Sequence, residues 1–381
     1  IVTNTGENVL SPGKTPGTNL QFLSFFTSVI RAVYEHHYLL MASIASLNNS
    51  HRLGGNEAPP AVMSVFVGST LDRLLNSLEG IGNIESVTNI SDTLDIVRKI
   101  PEIHADNTDR NRTSPFAFTG NRFEFRAVGS SVNVASAMYV LNCAVAEQLF
   151  RFRKLVDENI AKGCTTDEAI WKVVRQFIME SKNIRFEGNG YSDEWRVEAA
   201  ARGLKGLESV PQAYKAFLEK QSVDLFVNMG VLTAREVEAR YEVMNETYTK
   251  KLQIEARVMG DLIINHVIPT AIKFQNTLIE NVKGLKELFG EDKFESMCTQ
   301  QIKMIEKISG YIESLRVNVH EMIQERKVAN KIEDFALRAE TYTERVLPYM
   351  ELIREKADKL EMIVDDELWP LPKYRELLLL R

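Results

Sequence analysis

Cysteine is scarce in this chain. There are three in 381 residues (Cys143, Cys164 and Cys298), and none stands in a CxxC or CxxH spacing. That leaves no disulfide framework and no zinc spacing, and fits reduced, mostly buried thiols in a cytosolic protein. Histidine is scarce too, and His36, His37, His104 and His320 have no partner at metal-ligand spacing. His266, just before Val267, Ile268 and Pro269, reads as a packed helix histidine. Positive charge is in deficit: 46 Lys and Arg against 52 Asp and Glu, net −6, which argues against a nucleic-acid surface. No apolar run reaches membrane-spanning length. SPGKTPG (11–17) sets a lysine among glycines but lacks the GxxxxGK[ST] spacing of a phosphate loop, so it reads as a turn-rich loop. Internal repeats and low-complexity segments are missing as well. What is there is ordinary for a soluble globular protein: 44% apolar and 26% charged residues, in a chain long enough for two or three domains. The chain starts at Ile1 rather than Met and in mid-phrase, so an upstream segment is expected.

The periodicity predicts mostly helix. Residues 18–48 are apolar nearly all round, as in a buried helix. A second helix is expected from near Pro60, since proline suits a first helical turn. Residues 84–110 carry weak strand signals. Helical spacing returns from Ser131 to about Lys162. Thr165 with Glu168, and Thr233 with Glu236, read as capping boxes opening two further helices. Residues 184–195 read as a glycine-containing loop, and Pro269 should kink or end a helix. In the last third Ile332, Ala339, Val346, Ile353 and Leu360 recur every seven residues. Phe335, Tyr342, Tyr349 and Ile363 hold companion positions, with Lys356 as the one polar break. Ile305, Ile312 and Val319, with Ile308, Leu315 and Met322, repeat likewise, so the two seams should pack as an antiparallel pair. Trp369 reads as an anchor for the tail.

Chemistry concentrates in NRTSPFAFTGNRFEFR (111–126), which ends in a strict charged/aromatic alternation. On a strand, Phe123 and Phe125 would face a core while Arg122, Glu124 and Arg126 share the other face. Such alternation is commonly a plain ion-pair ladder. Yet exposed ion pairs contribute only ~0–1 kcal/mol each, and Arg110 and Arg112 lie just upstream. Arginine forks bind phosphate oxygens, and a carboxylate is a hard ligand for Mg²⁺ or Mn²⁺. Glu57 stands between Gly54-Gly55 and Pro59-Pro60, where it is either a surface glutamate or a group on a flap that closes over a site.

NSHRLGGNEAPP (49–60) resembles the flap of glutamine synthetases, and NRTSPFAFTGNRFEFR resembles the RxExR stretch of the same enzymes, in the same order and separation. The wording is most similar to the type III enzymes from Thr3 to Arg381. Residues 211–241 resemble the last helices of the catalytic domain. IEARVMGDLIINHVIPTA and WPLPKYRELLLLR resemble the type III helical extension. The resemblance implies an α+β fold: the C-terminal part of a catalytic domain over 1–245, followed by an all-α region over 246–381. It implies ligation of ammonia to glutamate, driven by ATP through γ-glutamyl phosphate, with Mg²⁺ or Mn²⁺, in a cytoplasmic homo-oligomeric ring. Carried over residue by residue, Arg52 would hold glutamate. Glu57 would bind and deprotonate ammonium. Arg112 would contact the transferred phosphoryl group, Arg122 the nucleotide phosphates, and Arg126 phosphate or glutamate. Glu124 would ligate the metal.

Two positions depart from the bacterial type I pattern: Ala117 replaces an arginine and Thr119 a lysine. The flap is one residue shorter. The family's other metal ligands would lie upstream of Ile1. Two rival readings stand beside the first: a γ-glutamyl ligase acting on another amine, and an inactive helical assembly fragment.

Overall fold

The computed structural model describes residues 1–55, 58–80, 113–129 and 132–378, with backbone alone for 291–296 and 374–375. The fold is α+β and falls into two compact units, Ile1–Tyr241 and Glu242–Arg381.

In the first unit α1 (Leu20–Glu35) starts at Asn19, whose side chain accepts from the Phe22 N–H. The single helix expected over 18–48 is in fact α1, α2 (His37–Ile44) and the start of a short α3 (Leu47–Arg52). The break falls at His36, which is buried and held by a 2.7 Å bond from its Nε2 to Glu147. Residues near Pro60 are not helical. They run through an extended segment into β1 (Val65–Phe66), and α4 (Ser69–Glu79) begins only after Gly68, at φ +86°. Pro60 disfavours helical backbone at the residue before it, and the β-branched run that follows pairs on both sides. β1 lies parallel to β2 (Phe116–Phe118) on one side and bridges Arg185 on the other. The residues read as a loop over 184–195 therefore extend the sheet at Arg185 and end in α7 (Asp193–Ala201), with α5 (Ala135–Ala161) and α6 (Thr166–Glu180) preceding. The Thr165–Glu168 capping box is formed in full. The weak strand signals of 84–110 lie outside the described residues.

β2 pairs antiparallel with β3 (Phe123–Phe125), matching Phe116 to Phe125, Ala117 to Glu124 and Phe118 to Phe123. The turn between them needs Gly120, at φ +91°. Period-2 geometry then collects the phenylalanines on one face. Phe26 stacks on Phe123 at 5.4 Å and meets Phe118 edge-on at 4.9 Å. Each such ring pair adds about 0.5–1.5 kcal/mol beyond area burial. α1 also packs against α5 and α6, so one buried helix carries the sheet on one flank and the helical layer on the other. Short helices α8 (Val210–Tyr214) and α9 (Lys220–Asn228) precede α10 (Ala234–Leu262), which the Thr233–Glu236 box caps.

The second unit is helical among its described residues: the end of α10, α11 (Ile268–Phe289), α12 (Glu291–Ala329), α13 (Phe335–Thr341) and α14 (Leu347–Glu361). Pro269 does not end the helix. A π segment, Ile263–Val267, precedes it, and the Ile268 N–H bonds back five residues to Ile263 O. The same device recurs before Pro348, where π segment Tyr342–Val346 ends in an Leu347 N–H to Tyr342 O bond. Widening one turn accommodates the missing donor and the ring of each proline. Ala339, Val346, Ile353 and Leu360 are buried as the heptads require, and α12 contributes Ile308, Leu315, Val319 and Met322. α12 packs along α14, and the short connection makes the pair antiparallel. Several positions differ from the heptad reading. Ile332 precedes the helix, Met350 and Val364 are buried in place of Tyr349 and Ile363, and Ile305, Ile312 and Phe335 are only half-buried. Lys356 reaches Glu355 at 3.1 Å, which satisfies the polar break.

The tail folds back on its own unit. Trp369 is buried, and the Lys373 ammonium donates to Glu361 O at 2.8 Å and Val364 O at 3.0 Å. A cation on the open carbonyls of a helix C-terminus is favourable.

Candidate active site

The polar face of β3 holds the charges that the alternation placed there. Glu124 spans its two neighbours: Arg122 Nε lies 3.3 Å from Oε1, and Arg126 donates from Nε and Nη2 to Oε2 at 3.2 and 3.1 Å. The three are graded in exposure: the Arg122 side chain is 70% exposed, Glu124 34% and Arg126 17%. One guanidinium therefore extends into solvent while the other is fixed at the base of the cluster. The ladder geometry is real, and it also leaves a carboxylate and two cations on one open face.

The two departing positions both border Glu124. Ala117 is its cross-strand partner and is fully buried, and the Thr119 hydroxyl lies 3.4 Å from Oε1. A small residue and a neutral hydroxyl there leave the carboxylate with only the Arg122 and Arg126 cations among the described residues.

Arg52 comes to the same place from the end of α3. Its Nη1 donates to Asn49 Oδ1 at 3.2 Å and to Ala127 O at 3.4 Å, and its Nη2 reaches Arg126 O at 3.5 Å. All three acceptors are neutral, and among the described residues no carboxylate lies within ion-pair distance of it. Arg52 thus meets the backbone at the end of the Arg122–Glu124–Arg126 ladder. Glu57 and Arg112 lie outside the described residues. The flap that carries Glu57 is pinned at its base by Gly54 N–H to Pro59 O, 2.9 Å, with Ala58, Pro59 and Pro60 buried.

The donor chemistry matches the groups expected there only in part. Glu124 supplies one hard oxygen ligand of the kind Mg²⁺ and Mn²⁺ take, and the guanidiniums supply phosphate-binding forks. A cation needs more ligands than that, and the described residues contain no group of three or more His, Cys, Asp or Glu that could hold a metal.

A second charged cluster escaped the sequence reading. Arg185, with its side chain 3% exposed, pairs with Asp72 at 3.1 Å and Glu79 at 2.9 Å on α4. Next to it Glu187 accepts from the Val67 and Gly68 N–H groups at 2.9 and 3.2 Å, at the start of α4. Burial pushes the Glu187 carboxyl up to about 7, against the pull of those N–H bonds. The cluster ties the loop before α7 to α4. Only the R-F-E spacing in IRFEGNGY could have hinted at it.

The chain matches the family model described as glutamine synthetase C-terminal domain over residues 169–286. It is 47% identical over 380 residues to a glutamine synthetase of Bacteroides fragilis (strain YCH46), covering 99% of this chain and 52% of that protein. It is 37% identical over 385 residues to the type-3 glutamine synthetase of Dictyostelium discoideum, covering 100% and 52% respectively. With a glutamine synthetase of Butyrivibrio fibrisolvens it shares 34% over 383 residues. The chain spans about half the length of the curated relatives it matches. Over nearly its whole length, and about half of theirs, the chain is a homologue of the glutamine synthetases, type 3 among them.

Proposed function

We propose that this chain forms part of a glutamine synthetase subunit, cytoplasmic and homo-oligomeric, that joins ammonia to the side-chain carboxylate of glutamate at the expense of ATP. The observation that carries the reading is the ladder Arg122–Glu124–Arg126 with Arg52 at its end. It sets two guanidiniums and one carboxylate on one strand face and a third guanidinium against the backbone at the end of that strand, charges suited to anionic substrates. In this reading Arg52 holds a glutamate carboxylate, and Arg126 binds glutamate or phosphate from the base of the ladder. Arg122 reaches the nucleotide phosphates from its exposed end, and Arg112 contacts the phosphoryl group in transfer. Glu124 is one ligand of a Mg²⁺ or Mn²⁺ whose other ligands come from outside the described residues. Such a cation neutralises phosphate charge when bound. Glu57 takes a proton from ammonium, and the flap excludes water from the acyl phosphate.

The reaction balances in two steps. The glutamate γ-carboxylate oxygen attacks the terminal phosphorus and ADP leaves. Ammonium gives a proton to Glu57, the resulting ammonia attacks the acyl carbon, and phosphate leaves as the adduct loses a second proton to give the amide. The experiment is an assay of the full-length subunit with glutamate, ATP and a panel of amines. Ammonia as the best acceptor supports the reading. A preference for an alkylamine replaces it with a γ-glutamyl ligase of other specificity, and no ATP-dependent product leaves the assembly-fragment reading. Glu57→Ala is expected to slow glutamine formation more than acyl-phosphate formation, read by hydroxylamine trapping against glutamine release. Equal losses in both would make the loop structural.

A further inference from the structure

We infer that Asn49 is a positioning residue for the substrate-binding arginine: it aims Arg52 without neutralising it. The inference rests on the reading of Arg52 as the glutamate-carboxylate ligand and deepens it.

Asn49 is 2% exposed and stands three residues before Arg52 on α3, hence on the same helix face. Its amide is fully committed. Nδ2 donates to Ile44 O at 2.9 Å and to Ala127 O at 3.0 Å, and Oδ1 accepts from Arg52 Nη1 at 3.2 Å. The orientation of the amide follows from its partners, because two carbonyls demand the NH₂ end and a guanidinium demands the oxygen. Asn49 therefore joins the end of α2, the backbone just after β3 and the Arg52 head in one buried node.

The choice of a neutral amide has a chemical consequence. An aspartate would hold Arg52 more strongly, but it would cancel the charge that an anionic substrate needs, and it would set a carboxylate against two carbonyl oxygens. An alanine would leave Arg52 with only its two long bonds to Ala127 O and Arg126 O, at 3.4 and 3.5 Å. Only a neutral group with one acceptor and two donors both fixes the guanidinium and leaves its charge available. Gly129 shows how close the fit is. A Cβ there would meet Asn49 Oδ1 at 3.1 Å and Cγ at 3.4 Å, so bulk at residue 129 presses on the amide that aims Arg52.

The test uses the full-length enzyme and four variants: Arg52→Ala, Asn49→Asp, Asn49→Ala and Gly129→Ala. Glutamate KM, ATP KM and kcat are measured for each. The expected result is a rise in glutamate KM of about tenfold or more for both Asn49 variants, largest for Asn49→Asp, and a smaller rise for Gly129→Ala. ATP KM should stay within about twofold. A merely structural node would lower kcat or move both KM values together, and that result overturns the inference. Should the Asn49 variants fail to fold, Gly129→Ala decides alone: a selective rise in glutamate KM supports the inference and unchanged constants overturn it. Arg52→Ala separates the two levels. If it raises glutamate KM while the other variants do not, the positioning role fails and the substrate role stands. If it leaves glutamate KM unchanged, the role of Arg52 fails and the inference falls with it.

Discussion

The two compact units solve different problems with the same amount of helix at hand. Residues 1–241 bury an aromatic cluster under a three-stranded sheet and use the far face of that sheet to hold charge. Residues 242–381 bury aliphatic stripes between long helices, and a charge cluster there, Glu355 with Lys356 and Lys359, is drawn from a single helix. In the first unit polar and charged side chains meet across long sequence distances: His36 with Glu147, Arg185 with Asp72 and Glu79, Arg31 with Glu180. In the second, most ion pairs among the described residues are close in sequence, such as Lys250 with Glu246 and Arg354 with Asp358. The lesson is a division of labour. A sheet edge can gather side chains from distant segments into a site, whereas a helical pair repeats one local contact and supplies stability.

That contrast can be broken by substitution. The largest effect is expected from Glu124→Ala in the full-length enzyme, with turnover down by about 10²-fold or more. The melting temperature should hardly move, since exposed ion pairs contribute ~0–1 kcal/mol. Normal turnover at saturating Mg²⁺ would remove Glu124 from the site. Next, Ile353→Ala or Leu315→Ala in the second unit should cost about 2–5 kcal/mol in stability, because both side chains are fully buried. Urea denaturation measures it, and a cost near zero would mean the helical seam is not a packed core.

Lys373→Met tests the tail. It keeps the apolar stem and removes the ammonium from the two carbonyls, at a cost of about 1–2 kcal/mol. If the cost is nil, Trp369 alone holds the tail. The deletion of residues 366–381 asks a further question, whether the tail with its exposed Leu377 and Leu378 supports assembly. A change in particle mass by light scattering is expected, and an unchanged mass and melting temperature would reject that role.

The smallest effect concerns Glu187. Its folded pKa of about 7 lies above the ordinary carboxylate value of 4.5, chiefly through burial. A raised folded pKa means the folded state binds the extra proton, so this contribution is fully present below pH 4.5 and is lost as pH rises through about 7. Glu187→Gln keeps the acceptor for Val67 and Gly68 and cannot ionise. Melting curves from pH 5 to 8 should therefore fall more steeply for the natural protein than for the variant. Parallel curves would mean that Glu187 does not titrate in that window.

Much of the chain was legible beforehand for a local reason. Both capping boxes, the alternation in β3 and the heptads in α12 and α14 depend on neighbours within seven residues; the boxes and the alternation appear as read, and the heptads do in their central positions. The exceptions are instructive. Pro60 looked like a helix start, but a buried run that pairs on both edges became a strand. Pro269 was expected to kink or end a helix, and a π turn before it lets the helix run on.

By itself, then, the sequence determined which residues share a face: period-2 spacing put Arg122, Glu124 and Arg126 together, and period-7 spacing drew the buried stripes. It also carried the family likeness. Tertiary structure alone decided which faces meet. It brought Arg52 against the backbone of 126–127, set Asn49 between α2 and the end of β3, and laid Glu187 on the start of α4. The physical reason is that side-chain periodicity is fixed by backbone geometry over a few residues. A hydrogen bond between segments more than 70 residues apart exists only once the core between them has packed.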